Sequence, residues 1–298
     1  NLSHDHLDYH KNLKDYLNSK LYLFNKLIKK NGLIISDIDI PQFKNLKKIS
    51  KQKKMKLLSV YGKNSDLELA SHKFENESQI LNLKYKKKLF KLKLNLIGKV
   101  QIKNFLMALL TAIKTGQNLN NILKIVEKIK PVEGRFEKIG KLKNNGKVIL
   151  DYAHTPDALK ILLSNIKEQF PSKKISLVFG CGGDRDKKKR SKMGKIASTF
   201  SNTIYLTDDN PRSENPNKIR NDIKKGIKNK KIYEIPNRRN AITKCIKNLN
   251  TGDIAIIAGK GHEAFQEFNR TVVPFDDRRV ARELLKIRLA SAGELARW

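Results

Sequence analysis

The chain has 298 residues, 39% of them hydrophobic, and a formal net charge of +34. That length allows two domains. A charge so large first suggests nucleic acid, but the excess is mostly Lys spread through every segment, without the interleaved aromatic residues that base stacking requires. A background bias toward Lys, Ile and Asn accounts for more of it than a binding function does, although non-specific adhesion to polyanions is expected. Two cysteines, Cys181 and Cys245, stand far apart and form no metal-ligand pattern, which points to a reducing cytosol. No apolar run approaches membrane-spanning length and no signal peptide is read, so a cytoplasmic protein is expected. The chain begins with Asn1 and enters a dense motif at once, as a piece of a longer protein would.

In chain order, Asn1 to Tyr9 (NLSHDHLDY) places two His and two Asp within six residues, a weak metal-ligand signal or a polar loop capping the next helix. Leu13, Leu17, Leu21, Phe24, Leu27 and Ile28 recur at helical spacing and predict one helix over 13–28, with Lys20 inside it. Leu33–Ser36 and Lys56–Tyr61 read as strands. Leu92, Leu94 and Leu96 alternate, which predicts a half-buried strand of an antiparallel hairpin over 89–96. Val100 to Thr115 is a strong helix ended by Gly116, and a second helix is predicted to about Ile129. Pro131-Val132-Glu133-Gly134-Arg135 breaks the pattern and marks a domain boundary.

Beyond it, strands are predicted at Lys147–Leu150, Ile175–Phe179, Thr203–Leu206, Lys231–Ile235 and Asp253–Ile257. Helices lie between them, at about Pro156–Gln169, Ser191–Phe200, Asn217–Lys228 and Arg238–Leu249. Alternating units imply an α/β fold with a mostly parallel sheet. Four polar loops follow strands: Asp151–Pro156, Gly180–Asp186, Thr207–Pro216 and Ala258–Glu263. A parallel sheet puts all four at one end, where such folds bind ligands. The Thr207–Pro216 loop offers Asp209 for an ammonium and Arg212 for a carboxylate. Read alone, it is a solvated turn; read with the other three, it is part of a composite site. The glycines Gly180, Gly182 and Gly183 do not form a dinucleotide fingerprint, and no phosphate-binding G-x-x-x-x-G-K-[ST] loop occurs.

Seven stretches together are distinctive: NLSHDHLDYH with Lys20 in the next helix, GRFEKIG, DYAHTPDAL, GGDRDKKKR, TDDNPRSENP, AGKGHE and FDDRRVAREL. They resemble the Mur ligases, and within that family the diaminopimelate-adding members. The resemblance implies that residues 1–130 are the back part of the central ATP-binding domain. Residues 131–298 would be a Rossmann-like C-terminal domain that binds the amino acid. The family's N-terminal domain and P-loop segment would fall outside this chain, which alone is expected to be inactive. The implied reaction is ATP-dependent: a carboxylate of UDP-MurNAc-L-Ala-D-Glu becomes an acyl phosphate, and the amine of meso-diaminopimelate displaces phosphate through a tetrahedral intermediate, for peptidoglycan synthesis.

Carried over by motif, Lys20 would be carbamylated, which turns a cation into an oxygen ligand suited to Mg²⁺, with His6 a second metal ligand. Asn104, Arg135 and Asp151 would contact ATP, although the family's usual Asn-x-x-Asn pair here reads Gln101-Ile102-Lys103-Asn104. Arg185, Asp209, Asn210, Pro211, Arg212, Gly259 and Glu263 would line the diaminopimelate pocket, Arg212 setting specificity. His154, Lys260 and His262 would move protons, position phosphate or serve structure. A monomer with small-molecule partners, no specific nucleic acid and no membrane is expected, with domain closure on ligand. The alternatives are a basic nucleic-acid-binding protein, whose binding should fall steeply with salt, and a Mur-type ligase for another amino acid.

Overall fold

A computed structural model describes residue 2, residues 9–269 and residues 271–294. The chain divides into two compact units, residues 1–130 and 131–298.

The first unit opens with α1 (Leu13–Tyr22), capped by Asn12, whose side chain accepts from the Asp15 N–H. The single helix expected to Ile28 is interrupted: Leu23–Leu27 is a π-helical turn. That wider turn shifts the apolar row. α1 buries no residue fully; Leu21, Phe24 and Ile28 rest half-buried against Ile34, Leu46 and Met55.

There follow β1 (Leu33–Asp37), α2 (Phe43–Gln52), β2 (Lys56–Tyr61), β3 (Leu67–Glu75), β4 (Ser78–Tyr85) and β5 (Lys88–Leu94), which form one sheet in that strand order. β1, β2 and β3 run parallel, and β3, β4 and β5 are an antiparallel meander. Sequence reading found β5 alone of the meander. Its two hairpin turns are Asn76-Glu77 and Lys86-Lys87, and both lysines take the left-handed φ that such turns normally reserve for Asn-Gly. α3 (Val100–Lys114) lays Ile102, Phe105, Leu106, Leu109 and Leu110 on Leu81, Leu83, Leu92 and Leu94. Each such side chain contributes roughly 1.5–3 kcal/mol on burial. Gly116, at φ +103°, ends the helix. The second helix expected to Ile129 is shorter: α4 (Leu119–Leu123), then a 3-10 turn over Val126–Lys128.

The second unit contains β6 (Glu137–Lys141), β7 (Lys147–Asp151), α5 (Pro156–Gln169), β8 (Ile175–Phe179), α6 (Lys188–Phe200), β9 (Thr203–Leu206) and α7 (Pro216–Lys224). It continues with β10 (Lys231–Glu234), α8 (Arg238–Lys247), β11 (Ile254–Ala258), the hairpin β12 (Phe265–Phe268) and β13 (Thr271–Pro274), and α9 (Asp277–Glu294). The main sheet has the order β10-β9-β8-β11-β7-β6; neighbours run parallel except β6, which is antiparallel to β7. On one face Val148, Leu150, Val178, Tyr205, Ala255 and Ile257 meet Ala241, Ile242, Cys245 and Ile246 of α8 and Val280, Ala281 and Leu285 of α9. The intervening Ile149, Leu177, Ile204 and Ile256 are also fully buried. Both faces are therefore covered, which is why these strands read as continuous apolar runs.

Two of the distinctive motifs are partly helix starts. Thr155 caps α5 with Pro156 at its first turn, and Asn215 caps α7 with Pro216 in the same place.

Candidate functional site

The strand order reverses around β8 and β11. The chain steps outward from β8 to β9 and β10, then returns to insert β11 between β8 and β7. Folds of this topology bind ligands at the carboxyl ends of the strands beside such a reversal. The four polar loops meet at this end. The Gly183 N–H donates to the Asn210 carbonyl at 2.9 Å, and the Gly259 N–H donates to the Asp151 carbonyl at 3.1 Å. A Cβ on Gly180 would stand 2.3 Å from the Thr207 carbonyl oxygen, and one on Gly183 would stand 1.9 Å from that of Pro211. These glycines let the loop after β8 lie flat on the loop after β9.

The carboxylates of the Thr207–Pro216 loop divide their work. Asp208 is held by Arg220, which also binds Glu234, so it serves structure. Asp209 is 8% exposed and faces Gly259, where a Cβ would come within 2.8 Å of its Oδ2. Behind it lies Arg238, with no solvent exposure, its Nη1 3.8 Å from Asp209 Oδ2. Arg238 also donates from Nε and Nη2 to both oxygens of Asp277 and from Nη2 to the Ala258 carbonyl.

Asn210 is 3% exposed and tightly bound. Its Oδ1 accepts from Lys260 Nζ at 2.9 Å and from the Glu267 N–H at 3.2 Å, so its Nδ2 turns to Glu263 Oε2 at 3.2 Å. Lys260, fully buried, also donates to Glu263 at 3.1 Å. The Tyr152 hydroxyl donates to the other oxygen of Glu263 at 3.3 Å, and the charge of Glu263 helps burial push that hydroxyl's pKa up. Lys260 is therefore a structural clamp on Asn210 and Glu263. Pro211 is buried and sets the turn into Arg212, which takes a left-handed φ of +53°. Arg185 stands exposed on the loop after β8.

The AGKGHE and GRFEKIG motifs pack on each other. A Cβ on Gly134 would meet the His262 N at 2.5 Å. Arg135 lies with its guanidinium 4.5 Å from the Tyr152 ring centre, and His262 stands on the same ring at 5.4 Å. His154 contacts the Tyr152 carbonyl through Nδ1 at 2.9 Å. Both oxygens of Asp151 accept backbone N–H bonds, from Phe136 and Ala153 at 2.8 Å each. Burial pushes its carboxyl up, and those bonds partly offset the push. Cys181, although on a site loop, is buried, and burial pushes its thiol up to about 12. It is no nucleophile.

In the first unit, Asn104 is exposed and donates to Gln101 Oε1 at 3.0 Å. The neighbouring Lys103 turns to Asp37 at 2.5 Å. Lys20 is exposed on α1, its Nζ 4.7 Å from the Tyr16 ring centre. His6 lies outside the described residues. Among the described residues no group of three His, Cys, Asp or Glu could hold a metal. The described residues do not by themselves make a cage for Mg²⁺.

Sequence reading did not single out Arg190, Arg238, Gln266 or Glu267. A signal existed for two of them. Arg190 shares a helical face with buried Met193, Gly194 and Ala197, and Arg238 with Ala241, Ile242 and Cys245. A lone cation at apolar spacing on a helix marks a buried ion pair. A cavity of about 810 Å³ opens at the opposite, amino end of the sheet, edged by Lys174, Lys231 and Lys247. Lysines edge most surfaces of this chain, so that rim distinguishes nothing.

Two family models match the chain: the Mur ligase middle domain over residues 1–112 and the Mur ligase glutamate ligase domain over residues 134–261. The chain belongs to the Mur ligase family. It is 39% identical over 286 residues to the UDP-N-acetylmuramoyl-L-alanyl-D-glutamate–2,6-diaminopimelate ligase of Rickettsia montanensis, covering 96% of this chain and 59% of that one. The Rickettsia typhi ligase of the same name is 40% identical, over 95% and 57% of the two chains. A solved structure of a ligase of that name superposes with a TM-score of 0.65 at 32% identity, over 96% and 59%. The MurF ligase of Thermotoga maritima, solved with ADP, shares the fold at a TM-score of 0.71 and 18% identity, over 98% and 61%. This Mur ligase chain thus spans under two thirds of the length of the relatives it matches. No helix among the described residues is long and apolar enough to cross a membrane.

Proposed function

We propose that this chain forms the amino-acid-accepting part of a ligase that joins meso-diaminopimelate to UDP-MurNAc-L-Ala-D-Glu at the expense of ATP. The observation that carries the reading is the convergence of Asp209, Asn210, Arg212, Gly259 and Glu263 at the carboxyl end of one sheet. The ligands named by the 39%-identical relatives suit that charge pattern.

Each group has a part. Asp209 and Glu263 offer carboxylate oxygens to an ammonium, and Arg212, with Arg185 on the neighbouring loop, offers guanidinium to carboxylates. Lys260 and Tyr152 hold Glu263 in place, so little reorganisation is needed when the ligand arrives. The uncharged form of the acceptor amine attacks the acyl phosphate made from ATP. A tetrahedral intermediate forms, the carbon–nitrogen bond is made, the amine proton is lost and inorganic phosphate leaves. Arg135 and Asp151 are proposed to contact the nucleotide, as is Asn104, and Lys20 and His6 to hold the metal. Diaminopimelate carries one carboxylate more than lysine, and a charge-assisted hydrogen bond from a part-exposed Arg212 to that carboxylate contributes roughly 1.5–3 kcal/mol.

The test is calorimetric titration of the chain with meso-diaminopimelate and L-lysine, repeated with Arg212→Ala. Selective binding of diaminopimelate that disappears with Arg212 is expected. Equal binding of both, or binding indifferent to Arg212, would overturn the reading of the pocket. Steep salt dependence of a nucleic-acid complex that survives Arg212→Ala would instead favour the basic-protein alternative.

A further inference from the structure

We propose that Glu267 is the resident counter-ion of Arg212 and sets how tightly, and how selectively, the site accepts a ligand carboxylate. The inference rests on the reading of Arg212 as the receiver of the acceptor's additional carboxylate.

β12 and the residue that follows it grip Arg212 through main chain and side chain. Through the main chain, the Arg212 N–H donates to the Glu267 carbonyl at 3.1 Å and the Asn269 N–H donates to the Arg212 carbonyl at 2.8 Å. These bonds fix a non-glycine residue at φ +53°, a conformation that persists only where its surroundings impose it. Through the side chain, Nε meets Glu267 Oε2 at 3.0 Å and Nη1 donates to the Gly183 carbonyl at 2.8 Å. The guanidinium is held on the Nε side and on one Nη1 hydrogen. A ligand carboxylate would approach the end formed by Nη1 and Nη2 and would come to lie near Glu267.

Glu267 therefore has two opposed effects. Its oxygen fixes the direction of the fork, which lowers the ordering needed on binding. Its charge repels the arriving carboxylate. In a chain of net charge +34, an unpaired, part-exposed arginine would attract many anions. A resident carboxylate restricts occupancy to ligands that also satisfy Asp209 and Glu263, so that rejection of simple anions is built in. Arg212 and Glu267 are 23% and 30% exposed, so water screens the repulsion without removing it.

Glu267→Gln keeps an acceptor oxygen for Nε and removes the charge. Two like charges about 5 Å apart in a water-like medium correspond to about a fourfold change in affinity. Meso-diaminopimelate should bind Glu267→Gln about fourfold tighter than the unaltered chain, with a smaller gain for L-lysine, so the preference over lysine rises while rejection of a simple anion such as acetate weakens. Unchanged or weaker binding of diaminopimelate, or an equal gain for lysine, would overturn the proposal. The pair is also tested without ligand, by urea unfolding of Arg212→Gln, Glu267→Gln and the double variant. Additive effects would remove the resident counter-ion whatever the ligand does. If the unaltered chain binds neither amino acid, the functional reading fails and takes the ligand half of this inference with it, and the unfolding cycle alone then decides the ion pair.

Discussion

Lys260 donates to Asn210 Oδ1 at 2.9 Å from a position with no solvent exposure. This bond orients a site amide, because the oxygen it engages forces the Asn210 nitrogen toward Glu263. Lys260→Met should cost roughly 1.5–3 kcal/mol of stability, the range for hydrogen bonds to a charged group. It should also abolish diaminopimelate binding under conditions where the chain is still folded. Urea unfolding and titration calorimetry on the same preparation check both halves. Retained ligand affinity would confine Lys260 to a purely structural part.

Gly259 has φ +115°, and a Cβ there would lie 2.8 Å from Asp209 Oδ2. Gly259→Ala should therefore strain the backbone by about 1–3 kcal/mol and push the Asp209 carboxylate aside. Binding of a diamine-bearing amino acid should weaken more than stability does, which paired calorimetry and thermal unfolding would show.

The Arg238–Asp277 pair is fully buried on both sides, with two hydrogen bonds at 2.7 and 2.8 Å. Asp277→Ala leaves a buried guanidinium with Asp209 as its nearest remaining carboxylate, and should cost about 3–5 kcal/mol. The double substitution Arg238→Met, Asp277→Leu should cost less than Asp277→Ala alone, because no charge is then stranded. Chemical denaturation of the two variants decides it.

Glu214 accepts from Arg190 Nη2 at 2.8 Å, and the Arg190 hydrogen bonds are the first cause that brings its carboxyl down to about 2. A carboxyl lowered on folding stabilises above its unfolded value and loses that contribution as pH falls through its folded value. The stability gap between the unaltered chain and Glu214→Gln should thus be full at pH 6 and close between about pH 4.5 and 2. Urea midpoints at stepped pH measure it, and a gap independent of pH would contradict the assignment.

In the second unit β7, β8, β9 and β11 were legible because both their faces are buried, and the helices between them bury one face, whereas β6, the β12–β13 hairpin and α9 were not read. Ile175–Phe179 and Pro156–Gln169 match their predicted bounds. Of the β3–β4–β5 meander only β5 was legible, since β3 is largely exposed and Lys86-Lys87 makes a turn that composition does not announce. Sequence alone settles the alternation of the central strands with helices, the helix beginning at Pro156, and which loops carry charge. Only the packed fold shows what each of those charges touches. Asp208 and Asp209 are neighbours of identical chemistry, yet one is tied to Arg220 and the other lies against Gly259. Arg212 takes its posture from a hairpin more than fifty residues later in the chain. Pairing of this kind depends on distances that the fold creates, and local propensity and hydrophobic period contain no record of them.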